Sequence, residues 1–426
     1  MTSTDVRLGL RENAAQFSLL VAVNAFVGAM VGLERSTMPL IGREDFGLSS
    51  STAVLSFIVA FGLAKSFTNL GAGAFATRMG RRRLLIAGWA IALPVPLLIA
   101  AAPSWGWIVA ANVLLGVNQG LAWSMTVVMK IDLVGPKRRG LALGLNEAAG
   151  YGGVAIAAAA SGWLASEFAA RDVVVVSGAA IALLALIVSV AFVRDTAAHV
   201  ALEQSVHASG RQAVAPPMRE AFAEATWRAP ALRSASQAGL VNNLNDALAW
   251  GLVPLFLAAH GASPAAIGLI AGLYPAVWGV GQIATGHWSD RIGRKPLIVA
   301  GMLVQSAALA VLAASAGDIA IAAVAAVLLG AGTALVYPTL IAAISDAVTP
   351  VARASMVGVY RFWRDMGYVA GALIAGLVAD ALGFGGAIAV IAALTALSGA
   401  WVAFDMPARA QPPRPIESAT PLNTTA

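Results

Sequence analysis

The sequence predicts an all-α membrane protein whose twelve transmembrane helices form two related bundles of six. Composition, the lengths of the apolar segments and an internal repeat lead to this prediction. Of 426 residues, 59% are hydrophobic and only 11% are charged, whereas a soluble domain carries about 25% charged residues. A soluble chain could not keep this much apolar surface from water, so lipid is the solvent that fits.

Apolar segments long enough to cross a bilayer follow one another along the chain. A transmembrane helix needs roughly 20 apolar residues. The predicted spans cover residues 15–41, 50–74, 84–102, 106–131, 140–166, 173–193, 235–259, 264–287, 296–315, 318–344, 354–379 and 383–404. The first span follows Arg7 and Arg11, as in a signal peptide, but it exceeds signal-peptide length, so we interpret it as uncleaved.

Polar segments divide the chain into two bundles. The one long polar stretch, residues 194–234, is predicted to be a cytoplasmic linker between an N-terminal bundle (1–193) and a C-terminal bundle (235–405). The proline-rich segment 406–426 is expected to be a disordered cytoplasmic tail.

Basic residues predict the orientation. With the N-terminus inside, the cytoplasmic segments hold 20 lysines and arginines and the outside loops hold only Arg43 and Arg171. Because cytoplasmic loops carry the basic excess, both termini are expected in the cytoplasm, with the chain multi-pass in the inner membrane. The net charge of +6 therefore reports topology, and nucleic-acid binding is not expected.

Landmarks of the first half recur in the second. Gly73, Arg78, Gly80 and Arg81 recur 213 residues later as Gly286, Arg291, Gly293 and Arg294. Asp132, Pro136, Arg139 and Gly144 recur 214 residues later as Asp346, Pro350, Arg353 and Gly358. A common order at nearly one offset indicates two pseudo-symmetric halves.

The segment Gly286–Lys295, GHWSDRIGRK, resembles the signature of the major facilitator superfamily between spans two and three and its echo between spans eight and nine. The resemblance covers all twelve spans and implies two six-helix bundles, a central cavity and alternating access. It also implies a gating role for Gly73, Arg78, Gly80, Arg81, Arg139, Gly286, Asp290, Arg291, Gly293, Arg294 and Arg353. Thr77 stands where the signature has Asp, so the N-terminal gate is expected to be weaker.

Ionisable side chains lie well inside the predicted spans, where each costs roughly 2.5–3.5 kcal/mol on insertion scales. They are Glu34, Arg35, Lys65, Glu147, Asp246, Arg361, Arg364 and Asp365. Four acids balance four bases, which indicates pairing. We expect most of them to line the path of solute and protons; the alternative is purely structural bridges.

Helical spacing groups further residues with these charges. Asn242, Asp246 and Trp250 share one face of span seven, and Asn243 and Asn245 lie close by. In span four, Trp123 belongs to a polar stripe that ends at Lys130, which is expected to extend to the membrane surface. Ordinary interhelical hydrogen bonding is the alternative for that stripe.

Span eleven combines two bases and one acid near mid-membrane. Arg361 and Asp365 stand at i and i+4 and can pair within the helix, which leaves Arg364 available. The family resemblance places span two beside span eleven, so Lys65 is a second candidate partner for Asp365.

The predicted function is secondary active transport of a small polar or charged solute. No P-loop for ATP hydrolysis occurs. Guanidinium groups favour an oxyanion as the solute, whereas the four acids are also compatible with a cationic solute. The segment Gly150–Gly153 resembles in part the glycine-rich motif of drug–proton antiporters in span five, which favours proton-coupled export. Proton-coupled uptake and, more remotely, a non-transporting sensor of the same fold are the alternatives.

Sequence motifs for catalysis or metal binding are absent. The chain has no cysteine and four histidines, and neither His-Glu-x-x-His nor Gly-x-Ser-x-Gly occurs. We therefore expect no enzymatic activity, no cofactor and no metal. The expected partners are the solute, protons and the lipid bilayer, and the chain is expected to be a monomer.

Overall fold

Helices account for the regular structure of the computed structural model, which describes residues 6–135, 139–207, 216–349 and 352–408. They are α1 (Ala14–Glu44), α2 (Ser51–Met79), α3 (Arg81–Ala92), α4 (Pro94–Ala101), α5 (Trp105–Val134), α6 (Arg139–Leu164), α7 (Ala170–Ala191), α8 (Ala197–His207), α9 (Met218–Ala223), α10 (Pro230–Ala259), α11 (Pro264–Ile292), α12 (Arg294–Ala314), α13 (Ile319–Ala347) and α14 (Arg353–Asp405). Of the predicted tail, only residues 406–408 lie within the described ranges.

These helices provide the twelve predicted spans. Helices α3 and α4 together form span three, which breaks before Pro94 because proline lacks the N–H that would continue the helix. Helix α14 contains spans eleven and twelve, separated at Gly383, where φ is 77° and ψ is 173°. A φ this positive is readily adopted only by glycine.

Apolar character is uneven among the spans. In the described ranges, nine helices are long and apolar enough to cross a membrane, with α3 and α4 counted as one. Helices α6 and α10 have the length but too many polar residues to join them. Polar groups in a span face protein or a water-filled cavity rather than lipid. Spans five and seven are therefore the spans most expected to contribute such groups to a functional site.

The segment between the halves is more ordered than the predicted linker 194–234. Helices α8 and α9 lie in it, a π-helical turn (Glu224–Arg228) follows α9, and α10 begins at Pro230, five residues before the predicted start of span seven. Phe222 of α9 packs on Phe362 and Trp363 of α14, at ring centroid distances of 5.6 and 5.7 Å. Helix α9 thus docks on the C-terminal half.

The halves meet along two helix pairs: α2 packs on the first part of α14, and α6 packs on α11. We call the side that carries α8 and α9 the terminal side, and the side of turns 45–50 and 260–263 the far side. At the far side, Gly162 and Gly268 bring α6 and α11 so close that a Cβ on either would lie within 2.7 Å of the other's backbone. Nearer the terminal side, a Cβ at Gly144 or Gly358 would meet nothing within 4 Å. The halves therefore touch at the far side and separate toward the terminal side.

Candidate functional site

A buried ion pair joins the two halves. Both guanidinium Nη atoms of Arg35, in span one, donate to the carboxylate of Asp246, in span seven, at 2.7 and 2.9 Å. Tyr368 of span eleven donates its hydroxyl to the same carboxylate at 2.6 Å. Arg35 also lies over the ring of Trp250, with its Cζ 5.4 Å from the ring centroid. Asp246 is therefore fixed by three donors from both halves.

A second contact between opposite charges joins spans two and eleven. The Lys65 ammonium lies 3.8 Å from a carboxylate oxygen of Asp365, and Asn69 donates to the other oxygen at 2.5 Å. The predicted pairing of Arg361 with Asp365 is not formed. Arg361 is half-buried, and no carboxylate of the described residues lies within 4.0 Å of its guanidinium. The acid of span eleven is directed across the interface instead of along its own helix.

Arg364 is buried without an ionic partner. Its Nε donates to Oδ1 of Asn243 at 3.2 Å, and its Nη2 donates to the Tyr151 hydroxyl at 2.8 Å. The guanidinium lies over the Tyr337 ring, 4.3 Å from the centroid. No carboxylate oxygen of the described residues comes within 4.0 Å of its nitrogens. This positive charge is met only by neutral dipoles and an aromatic face.

Glu147 is the acid nearest to that arrangement. Its Oε1 accepts hydrogen bonds from Trp123 Nε1 at 3.0 Å and from Asn146 Nδ2 at 3.1 Å, and its Oε2 accepts one from the Tyr337 hydroxyl at 3.2 Å. No base of the described part of the chain lies within 4.0 Å. Tyr337 of span ten thus touches both Glu147 of span five and Arg364 of span eleven.

Aromatic rings surround these two charges. Tyr151 stacks on Trp278 with centroids 3.6 Å apart, and Trp278 lies 5.4 Å from Tyr337. We call the group Glu147, Tyr151, Asn243, Trp278, Tyr337 and Arg364 the central cluster. It is drawn from spans five, seven, eight, ten and eleven, and so from both halves.

Comparison with protein families agrees with this architecture. A family model described as Major Facilitator Superfamily matches residues 17–238 and 235–425, one piece on each half. The chain belongs to the major facilitator superfamily. Since this is a family of membrane transporters, the protein is a multi-pass membrane transporter with the twelve-helix facilitator fold, as the resemblance predicted.

Two individual relatives accompany the family match. The inner membrane transport protein YajR of Escherichia coli (strain K12) is 41% identical over 83 residues, which is 20% of this chain and only 17% of that protein. A mutant of the nucleoside transporter NupG superposes with a TM-score of 0.75 and 13% identity, covering 91% of this chain and 99% of the other. At that identity the second likeness concerns the fold alone.

The residues expected to form the gates lie at or next to the turns of the terminal side. Arg81 pairs with Asp132 at 2.6 Å, and Arg294, its counterpart in the repeat, pairs with Asp346 at 2.9 Å and with Asp290 at 2.7 Å. The Arg81–Asp132 pair is the less exposed of the two. The N-terminal gate expected to be weaker at Thr77 therefore holds an ion pair of its own, through Asp132.

Other residues of the signature serve the turn or lie at the surface. Gly80 and Gly293 take φ values of 86° and 98°, so each turn needs its glycine. Arg78, Arg291 and Arg353 are exposed. The side-chain surroundings of Gly73, Thr77, Gly286 and Arg139 lie outside the described part of the structure.

Several polar residues predicted to line the path are held within one half. Gln305 of span nine bonds both Asn242, at 3.1 Å, and Asn245, at 2.9 Å, and Thr395 donates to Asn245 at 2.8 Å. These asparagines connect the helices of the C-terminal half. The residues predicted to share one face of span seven therefore have different surroundings. Asp246 lies at the interface between the halves, whereas Asn242 lies in the interior of the C-terminal bundle.

Glu34 and Lys130 are buried inside the N-terminal half. Glu34 is 2% exposed, interacts with Asn112 of span four, and its Oε2 has no hydrogen-bond partner among the described residues. Lys130 does not extend to the surface as expected: it is 0% exposed and donates to the Leu20 carbonyl at 3.0 Å. Neither residue belongs to the central cluster.

The sequence analysis did not identify the neutral members of the site. Tyr151, Trp278, Tyr337 and Tyr368 are apolar enough to pass as ordinary span residues, and Asn243 was noted only as a neighbour. Tyrosine hydroxyls near mid-span were the available signal, because a buried hydroxyl needs a partner.

An apolar cavity lies elsewhere in the C-terminal half. Its volume is about 20 Å³, and it is lined by residues of spans seven to ten, including Val253, Tyr274, Leu309 and Leu329. Its lining contains no charged side chain.

Proposed function

We propose that this transporter is a secondary active carrier that moves a small charged solute across the cytoplasmic membrane by alternating access. The observation that supports this most is the burial of Arg364 and Glu147 at the junction of the halves, neither with an ionic partner among the described residues. Unpaired charges at membrane depth are costly and are retained where they bind substrates or ions. A solute that meets them between the halves is bound where rocking of the halves exposes it to either side.

The arrangement of contacts between the halves supports alternating access. At the far side the halves are joined through Gly162 and Gly268 and through Asp380 of span eleven, which accepts from the backbone of Ser51 and Thr52 at the start of α2 at 2.6 and 3.1 Å. Toward the terminal side, Gly144 and Gly358 border open space. This conformation fits one end state of a rocking cycle, open toward the terminal side.

We assign the terminal side to the cytoplasm, because it carries the basic loops. The chain has no cysteine, so single introduced cysteines test this orientation cleanly. An impermeant thiol reagent added to intact cells is expected to label Ala259→Cys and to spare Ala198→Cys. The reverse pattern contradicts the assignment.

Coupling to protons and export are the further parts of the proposal. Asp246 is engaged by Arg35 and Tyr368, whereas Glu34 has an oxygen without a partner among the described residues, so Glu34 is the preferred proton carrier. Export is favoured by the glycine-rich start of span five, where Gly150 and Gly153 lie against span one: a Cβ there would come within 2.8 Å of Asn24 and 2.2 Å of Ala25.

Flux in proteoliposomes tests the transporter and its coupling. With a pH gradient imposed, the wild type is expected to move solute against its own gradient, and Glu34→Gln is expected to keep solute exchange while losing the response to the pH gradient. Glu167→Gln, a change at an exposed acid of the far side, is the matched control. Solute binding without flux in any gradient contradicts transport, and a Glu34→Gln protein that still responds to pH contradicts the proton assignment.

A further inference from the structure

We infer that the solute of the central cluster carries an anionic and a cationic group together, as an amino-acid-like zwitterion does, with the anion at Arg364 and the cation at Glu147. The inference rests on the proposed transport function and concerns the chemical class of its solute.

Two buried hydrogen-bond donors of the central cluster, one from Asn243 and one from Trp278, have no acceptor among the described residues. The Nε and Nη2 of Arg364 are used, but its Nη1 donates to no described residue. Asn243 uses Oδ1 to accept from Arg364, which leaves its Nδ2 buried and without a partner in the described structure. The buried Nε1 of Trp278, whose ring stacks on Tyr151, likewise has none. An unmet buried donor costs free energy, and a carboxylate or similar anion at Arg364 would accept from Nδ2 of Asn243.

The opposite holds around Glu147, where the neighbours are donors. Trp123 Nε1 can only donate, and with Asn146 it fills Oε1, while Oε2 accepts from the Tyr337 hydroxyl alone. The two oxygens of a carboxylate offer about four acceptor positions. The remaining capacity to accept hydrogen bonds lies on Oε2, where an ammonium group of the solute can bind.

Tyr337 fixes the spacing of the two charges. Its hydroxyl is 3.2 Å from Glu147 Oε2, and its ring centroid is 4.3 Å from the Arg364 guanidinium carbon. The spare acceptor capacity of Glu147 thus lies at the hydroxyl of Tyr337, and Arg364 lies over the ring face of the same side chain. A short molecule with opposite charges at its ends would reach both, and because Glu147 and Arg364 belong to different halves, it would draw the halves together.

The other charges nearby do not supply these partners. Lys65 and Asp365 face each other, and Arg35 and Asp246 are joined. Lys130 is bonded to the Leu20 carbonyl, and Arg361 lies one turn from Arg364 toward the terminal side. Lys130 and Arg361 favour an anion as the alternative solute of the central cluster. A purely anionic solute, however, would leave the remaining acceptor capacity of Glu147 Oε2 unused and would bring negative charge beside it.

The test measures binding to the full-length purified protein with probes matched in size. Glycine, β-alanine, 4-aminobutyrate, 6-aminohexanoate and phenylalanine serve as zwitterions of different length and bulk, each beside its carboxamide, which keeps only the cation, and its N-acetyl derivative, which keeps only the anion. Thermal stabilisation reports binding, because a ligand of the folded state raises its stability. At least one zwitterion is expected to bind about tenfold or more tightly than both of its single-charge analogues, which corresponds to roughly 1.4 kcal/mol.

Two variants assign the charges. Glu147→Gln should abolish the preference of the zwitterion over its N-acetyl analogue, and Arg364→Gln the preference over its carboxamide. Exposed Glu167→Gln and Arg219→Gln are the matched controls and should keep both preferences. The wild-type panel decides even if a variant fails to fold. Equal or tighter binding of an N-acetyl or carboxamide analogue, or no binding by any zwitterion, overturns the inference.

Flux measurements separate this inference from the proposed function. Zwitterion binding without flux supports the inference and contradicts transport. Flux of a single-charge solute, with no zwitterion bound, supports transport and overturns the inference.

Discussion

Arg35 of span one and Asp246 of span seven form a bidentate ion pair, with distances of 2.7 and 2.9 Å, at the junction of the two halves. The side chains are 2% and 0% exposed. Spans one and seven are counterparts in the repeat, so matched helices contribute opposite charges to one bond. A motion that separates the halves at this depth must either break the ion pair or move both residues together. Breaking the pair would leave two buried charges without a partner.

The first prediction concerns that pair. Arg35→Gln and Asp246→Asn should each destabilise the folded protein by about 3–5 kcal/mol, because removing one partner leaves the other charge buried and uncompensated. The double variant should lose clearly less than the sum, since both charges are then gone. Thermal or denaturant unfolding of the four proteins in detergent measures this cycle. Additive losses would falsify the coupling of the two residues.

Sequence patterns predicted the spans because their signal is local. Twenty consecutive apolar residues are sufficient to predict a membrane helix, and even the merged helix α14 divides at Gly383, between predicted spans ending at 379 and starting at 383. The sequence analysis did not predict the helices within the linker. Helices α8 and α9 are short, and the docking of Phe222 on Phe362 and Trp363 is a tertiary contact that local patterns do not contain.

The partners of the buried charges were harder to predict than the charges themselves. Helical periodicity groups residues on one face but does not say which neighbouring helix that face meets. Asn242 and Asp246 share a face, yet one meets Gln305 inside its own half and the other meets Arg35 across the interface. Lys65–Asp365 was anticipated as one of two pairings, because the family resemblance supplied the neighbouring helix.

The second prediction concerns the closed far side. Asp380 accepts hydrogen bonds from the Ser50 hydroxyl and from the backbone N–H groups of Ser51 and Thr52, at the positive end of α2. Asp380→Asn should weaken this cap and shift the protein toward a conformation open at the far side. Leu55, buried against Gly251 of the other half, serves as the reporter when replaced by cysteine. An impermeant thiol reagent should label Leu55→Cys faster, by about threefold or more, in the Asp380→Asn background.

The pH dependence of that labelling is a control. Desolvation tends to raise the pKa of Asp380, but the bonds from Ser50, Thr52 and Ser51 outweigh it and hold the pKa below its ordinary value. A carboxylate with a lowered pKa keeps its stabilising effect above the ordinary pKa and loses it only as the pH falls through the lowered value. Labelling of Leu55→Cys with Asp380 intact, corrected for reagent reactivity, should therefore not rise between pH 8 and pH 5. A rise in that range would count against Asp380 as a permanent cap.

The third prediction compares the gates. Asp132→Asn leaves Arg81 without another acid of the described residues within 4.0 Å, whereas Asp346→Asn leaves Arg294 its contact with Asp290. The pair at Asp132 is also less exposed, so it is less screened by solvent. Turnover should fall on the order of tenfold in Asp132→Asn and about threefold or less in Asp346→Asn, with similar solute affinity in both. Initial rates in proteoliposomes measure this, and equal losses would show that Asp290 does not substitute for Asp346.

The last prediction tests the geometry of Arg364. Its guanidinium donates to Asn243 and Tyr151 at once while its face lies on Tyr337. Lysine keeps the charge but is a point donor without the planar fork, so Arg364→Lys cannot hold both acceptors and also present an edge to the solute. Solute affinity should fall about tenfold or more, with normal protein abundance in the membrane. Arg361→Lys, one turn away, half-buried and without a carboxylate partner among the described residues, should lose less than about threefold. Wild-type affinity in Arg364→Lys would contradict solute binding through the fork, and loss of the protein from the membrane would assign Arg364 to folding instead.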